Sequence, residues 1–186
     1  MTRPIKSLLG VDDGPFAPDH RGDVDLVGVV YVGARLDGVV LSKVRRDGRN
    51  ATEKVARLVE ESRFDPKVVL MQGIALGGFN VVDIHALSER LDRPVLVVSR
   101  RAPNMKRIKR ALYEHVPGGA RKWRLIEKAG PMEPVGGLHV QRAGISLPAT
   151  RRLLEESAVY GKIPEPLRVA HLLAGAVTEG QSRGGA

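Results

Sequence analysis

Two continuous apolar runs, Lys67 to Met71 and Pro94 to Val98, flank a segment, Asn80 to Leu91, whose apolar residues recur at helical period. Strand, helix and strand within about thirty residues make a βαβ unit, whose crossover leaves the two strands parallel and buried on both faces. Sites in open α/β sheets lie beyond the carboxyl ends of such strands. Here those ends are Gln72-Gly73 and Ser99-Arg100.

The other segments extend the same sheet. Ile5 to Val11 reads as a short buried strand, and Val24 to Ala34 and Val39 to Val44 are β-branched runs around Leu36-Asp37-Gly38. Asp-Gly between such runs predicts a hairpin that turns there. Asn50-Ala51-Thr52-Glu53 opens an amphipathic helix with Val55, Leu58 and Val59 on one face, and Asp65-Pro66 ends it. A basic helix is expected after Pro103 to about His115, strands at Trp123 to Glu127 and Leu138 to Gln141, and helices at about Pro148 to Tyr160 and Glu165 to Val177. At 186 residues, with no repeat and no linker, the chain is expected to form one α/β domain with a mixed sheet over residues 1–180, followed by a flexible Gly-rich tail, 181–186.

A formal charge of +9 and a pI near 10.2 favour an anionic partner such as nucleic acid. The chain has no cysteine, which excludes disulfides, thiolate catalysis and Cys-type zinc sites. No run approaches the roughly 18 apolar residues of a membrane span, and the first residues lack a signal-peptide pattern. A cytoplasmic setting is therefore expected.

Asp12 and Asp13 close the first apolar run, just ahead of Gly14-Pro15. Carboxylates at a strand end before such a turn are either loop acids or half of a divalent-metal site. Neighbours on a strand alternate sides, so Asp13 joins Asp12 only where the turn has begun; otherwise it caps the turn.

In order along the chain, these elements resemble the ribonuclease H-like fold, and within it endonuclease V, a metal-dependent enzyme that nicks nucleic acid near deaminated bases. Gly10-Val11-Asp12 resembles that family's first metal-ligand strand, and Gln72-Gly73-Ile74-Ala75 stands where the family has Asp-Gly and a short loop. Pro94-Val95-Leu96-Val97-Val98-Ser99-Arg100 parallels its Pro-Thr-Ile-Gly-Val-Ala-Lys strand, and Ile163 to His171 resembles its closing helix. An archaeal family of endonuclease V-like proteins is nearer still, through Gly-Val-Asp-Asp-Gly-Pro-Phe, Gly-Gly-Phe-Asn-Val-Val-Asp-Ile and Arg-Val-Ala-His-Leu-Leu-Ala-Gly. The resemblance implies Mg²⁺ or Mn²⁺ held by carboxylates, with Asp12 the principal ligand, Glu53 or Asp13 a second, Gln72 a weak one and Arg100 at the basic catalytic position.

Departures from that pattern bear on activity. Gln72 replaces an expected Asp, and one charge pair at about 4 Å in an effective dielectric near 20 is worth roughly 4 kcal/mol before desolvation. Arg100 replaces a Lys; it can grip phosphate but hardly deprotonates. Glu53 is either the family's helix-proximal carboxylate or the partner of Asn50 in a capping box. The family's strand-opening wedge has no counterpart in Arg45-Arg46-Asp47-Gly48-Arg49, which argues against reading of a particular base.

Further residues carry two readings each. Asn80 is a helix N-cap with Asp83 as its acid, or Asp83 is a spare carboxylate near Gln72. Gly73, Gly77 and Gly78 could present N–H groups to a phosphate, though their spacing fits neither a P-loop nor a dinucleotide fingerprint. His171 is a packed histidine or lies beside the site. Arg100, Arg101, Lys106, Arg107, Lys109 and Arg110 form a basic cluster at the expected site edge, either a solvated helix face or phosphate contacts. Three functions fit: a metal-dependent endonuclease, a catalytically weakened nucleic-acid binder, and a scaffold on the same fold.

Overall fold

The computed structural model describes residues 7–184. The expected strand start at Ile5 and the last two tail residues fall outside that range. A seven-stranded mixed sheet runs in the order β3-β2-β1-β4-β7-β9-β8, with β1 (Ser7–Asp13), β2 (Asp23–Val32), β3 (Arg35–Arg45), β4 (Val68–Gln72), β7 (Val95–Ser99), β8 (Glu133–Val135) and β9 (Leu138–Ala143). β1, β4 and β7 are parallel neighbours and the outer pairings are antiparallel. A two-stranded hairpin, β5 (Ala75–Leu76) and β6 (Asn80–Val81), stands apart at the carboxyl end of β4. The single α/β domain with a mixed sheet is thus as expected, and β4, α2 (Ile84–Leu91) and β7 are the βαβ unit.

Helices cover both faces, as parallel strands apolar on both sides require. α1 (Ala51–Glu60) and α2 pack on Leu9, Val11, Val69, Met71, Val95 and Val97. The alternate residues Leu8, Val68, Leu70, Leu96 and Val98 face the other way, under α5 (Leu147–Ser157) and the start of α6 (Glu165–Glu179). Further along, Ala170 and Ala174 of α6 rest on Val27 and Val29. A flanking cluster joins α3 (Met105–His115) and α4 (Gly119–Ala129) to the β5–β6 hairpin through Leu112, Trp123, Ile126 and Val81.

Three local expectations are corrected. The hairpin turns at Gly33-Ala34, not at Asp37-Gly38, which lie within β3 where the β2–β3 register shifts. Gly38 is required there by Phe64, whose ring occupies the space a Cβ would take. Trp123 to Glu127 is part of α4, because its buried residues Gly119, Lys122, Trp123, Ile126 and Ala129 recur at helical spacing. Asn80 is not an N-cap; α2 starts later, with Asp83 as N-cap accepting from Ala86 N at 3.0 Å. Buried Asn80 instead ties the hairpin to α1, accepting from Ala51 N at 2.9 Å and donating to Asn50 Oδ1 at 2.7 Å.

Candidate active site

Gly10 sets the geometry of the site. A Cβ there would collide with the Pro166 carbonyl, so glycine lets the first turn of α6 lie directly on β1. Strand alternation puts Gly10 and Asp12 on the same face, and one and a half turns along α6 His171 arrives over Asp12. Asp12 Oδ2 is hydrogen-bonded to His171 Nδ1 at 2.8 Å, and Asp13 N donates to Asp12 Oδ1 at 3.0 Å.

Asp12 is only 5% exposed. Burial, and then the neighbouring Asp13 charge, push its carboxyl up to about 7, against the opposing pull of His171. Asp13 is raised as well, chiefly by burial, although Gly77 N donates to its Oδ2 at 2.9 Å. Asp13 is the last residue of β1 rather than a turn cap. Its side chain leaves the opposite side of the strand from Asp12, yet both line one cleft because that cleft straddles the strand end.

Continuing the β1–β4 register one residue past Val11 and Met71 sets Gln72 beside Asp12. Gln72 lines the same cleft, and its Oε1 is buried without a hydrogen-bond partner. The cleft encloses about 620 Å³. Phe16, Glu179 and Arg183 also line it, and none of them was singled out from sequence. Phe16 follows the aspartates directly and carries the Arg46 guanidinium 5.3 Å from its ring centre. Arg183 belongs to a segment without regular structure beside α6, for which the sequence held no signal.

Glu53 is elsewhere, and its expected part in the site is corrected. On α1 the buried face holds Ala51, Val55, Leu58 and Val59; Glu53, two residues from Ala51 and Val55, projects from the opposite side. There it accepts from Arg57 at 2.8 Å and pairs with Arg90, and these two guanidinium groups, Arg90 first, hold its carboxyl down to about 2. Nor does it close a capping box, since Asn50 makes no side-chain cap. Among the described residues no three His, Asp or Glu side chains converge as a metal-binding group.

Asp83 is occupied by its cap and by Lys128 Nζ at 2.7 Å. Arg100, just past β7, is exposed and lines neither cleft nor pocket. Arg101 is exposed beside it, and Lys106, Arg107 and Arg110 are exposed on α3, Arg110 held by Glu114 at 3.0 Å.

On the far side of β4 lies a second space. Gly73, one residue past Gln72, opens a pocket of about 210 Å³ with almost entirely apolar walls, among them Ile74, Phe79, Met105, Ile108 and Ile126. Two residues with polar side chains line it, Ser99 and Gln141.

The mixed sheet with helices on both faces shares its fold with endonuclease V. Endonuclease V of Bacillus subtilis superposes with a TM-score of 0.59 at 13% identity, over 89% of this chain and 78% of that one. The Ciona intestinalis enzyme, in complex with inosine-containing DNA, gives 0.55 at 13% identity, over 89% and 82%. At that identity the likeness is one of fold.

The chain belongs to the endonuclease dU family, whose sequence profile matches residues 6–178. A UPF0215 protein of Deinococcus radiodurans is 57% identical over 180 residues, 97% of this chain and 93% of the relative. One from Methanothermobacter thermautotrophicus is 46% identical over 193 residues, 99% and 95%. An Archaeoglobus fulgidus protein described as of unknown function has a solved structure that matches with a TM-score of 0.86 at 32% identity, over 92% and 98%. Both expected likenesses, to endonuclease V and to an archaeal relative of it, are met, and Deinococcus carries the family into bacteria. Among the described residues no helix is long and apolar enough to cross a membrane.

Proposed function

We propose that this protein is a divalent-metal-dependent endonuclease that nicks DNA at deoxyuridine. The observation that carries the reading is the meeting of Asp12, Asp13 and the unpartnered Gln72 Oε1 in one cleft at the ends of two parallel strands. A buried and a half-buried carboxylate, both with raised pKa, and an orphan amide oxygen are hard donors of the kind a divalent cation takes. They fit Mg²⁺ or Mn²⁺, which need only one or two carboxylates when water and substrate phosphate complete the shell. Asp12, Asp13 and Gln72 would hold the ion, whose chemistry is to polarise a water and neutralise charge on the scissile phosphate. His171 orients Asp12, and the exposed arginines and lysine at positions 100, 101, 106, 107 and 110 offer a path for the phosphate backbone.

The apolar pocket next to Gln72 supports base-directed cutting without the wedge loop. At about 210 Å³ it is smaller than the roughly 300–1,000 Å³ of a drug-sized site and suits one nucleobase turned out of the stack. Deoxyuridine follows from the family's description.

A second reading, a nucleic-acid-binding protein with weakened chemistry, is favoured by the diversion of Glu53, which leaves Asp12 and Asp13 as the carboxylates at the strand end, with only the exposed Glu179 elsewhere on the cleft rim.

Labelled DNA carrying deoxyuridine, inosine or only ordinary bases, incubated with Mn²⁺ or EDTA, separates the two. Metal-dependent nicking at deoxyuridine is expected, with Asp12→Ala reducing it about 10³-fold, the equivalent of roughly 4 kcal/mol of lost charge interaction. Binding without nicking under any metal would leave the second reading standing.

A further inference from the structure

We infer that Gln141 reads the ring N–H that deamination creates on a base, and so separates uracil from cytosine in the apolar pocket. The inference rests on the nuclease reading for its substrate, and on the pocket for its geometry. Gln141, on β9 opposite Val97, is 2% exposed and lines the pocket wall. Its Nε2 donates to the Gly130 carbonyl, just past α4, at 2.7 Å. A carbonyl accepts only, so this bond decides which end of the amide is the NH₂ and which is the oxygen.

Oε1 takes no hydrogen bond among the described residues, and it is not sealed off as Gln72 Oε1 is. Ser99, the other polar side chain of the wall, donates its hydroxyl proton to Arg101 O at 2.7 Å. The pocket therefore offers Gln141 Oε1 as an unused amide acceptor held in a fixed direction, beside a Ser99 oxygen that, its proton spent, can only accept.

The base chemistry is complementary. Uracil presents N3–H between two carbonyls, whereas cytosine presents a bare N3 lone pair, which would face Oε1 repulsively. Adenine and hypoxanthine differ at N1 in the same way. Thymine shares the N3–H of uracil, so Gln141 distinguishes deaminated from intact bases and leaves thymine to the pocket walls.

The test is binding in EDTA, where nothing is cut, to fluorescent single strands holding one deoxyuridine, deoxycytidine or 3-methyl-deoxyuridine, with Mn²⁺ nicking followed in parallel. The unaltered protein should hold deoxyuridine about tenfold more tightly than either alternative, the gap one well-made hydrogen bond gives. Gln141→Met should bring deoxyuridine and deoxycytidine within about threefold, leaving affinity for undamaged strands unchanged. Equal binding of all three by the unaltered protein overturns the inference independently of how any variant folds. So does a Gln141→Met protein that keeps the full preference while still nicking deoxyuridine, a result that leaves the nuclease intact. A Gln141-dependent preference with no nicking sinks the nuclease and upholds the reader.

Discussion

The cleft and the pocket begin one residue apart on the same strand and are opposite in kind. Gln72 faces the cleft, where Asp12 is buried and bonded to His171, and Asp13 is half-buried beside it. Gly73 opens the pocket, whose lining side chains carry no charge and include one unused amide oxygen, that of Gln141. A polar, under-neutralised cavity asks for a cation and a phosphate; a dry, narrow one asks for a flat ring. On the proposed function, the end of β4 divides chemistry from recognition, so each half can be damaged separately.

Filling the pocket should have the larger effect. Ala75 lines it from the β5–β6 hairpin, and Ala75→Phe would place a ring where the base is proposed to sit. Preference for deoxyuridine over undamaged DNA should fall about 100-fold, the upper range for steric exclusion from an apolar pocket. Binding to undamaged DNA, proposed to run through the exposed basic residues, should stay within about twofold. A thermal melt of the same sample separates occlusion from misfolding. Full preference in a folded Ala75→Phe protein would mean that the base goes elsewhere.

The same division explains what could be read from sequence. Apolar runs and their order disclosed β1, β4, α2 and β7, because a parallel pair buried on both faces leaves an unbroken apolar signal. Asp12 could be placed because it ends a strand of that layout, whereas His171 stayed open between a packed histidine and a site neighbour, the latter suggested only by the resemblance of the closing helix. The hairpin turn was misplaced because Asp37-Gly38 carries the turn signature, yet here glycine answers Phe64, a contact twenty-six residues distant in sequence. Trp123 to Glu127 looked like a strand because buried Lys122 breaks the apolar pattern of α4; its ammonium is satisfied by the Asp47 carbonyl. The pocket itself could not be foreseen, since its walls come from β4, β7, β9, α3, α4 and the β5–β6 hairpin. Gln141 looked like any strand residue until Gly130 gave its amide a direction.

On the cleft side, the strain of under-neutralised charge is measurable without substrate. Asp12 keeps its proton in the folded state up to about 7, whereas an unfolded aspartate loses it near 3.8. The folded state therefore binds more protons across that window, and the contribution of Asp12 to stability, full below the unfolded value, declines as pH rises to about 7. Asp12→Asn removes the decline. In EDTA the variant should match the unaltered protein near pH 4 and exceed it by about 2–4 kcal/mol at pH 8, read from urea unfolding. Adding Mn²⁺ at pH 8 should then stabilise the unaltered protein more than the variant. A variant less stable than its parent at pH 8 would show that the Asp12–His171 bond, not burial, dominates the site.

The smallest effect tests where the cleft ends. Glu53 occupies the position at which endonuclease V-like sequences suggest a carboxylate, but α1 presents it to solvent, between Arg57 and Arg90. To reach Asp12 it would have to cross the helix face that buries Ala51 and Val55 against the sheet. Glu53→Gln should therefore change nicking and Mn²⁺ dependence by less than about twofold, as expected for a solvent-screened ion pair. Asp13→Asn, measured beside it, should weaken Mn²⁺ dependence by about tenfold, because that half-buried carboxylate lines the cleft. If the order were reversed, α1 would have to rotate when DNA or metal binds, and the cleft would be an open form of a three-carboxylate site.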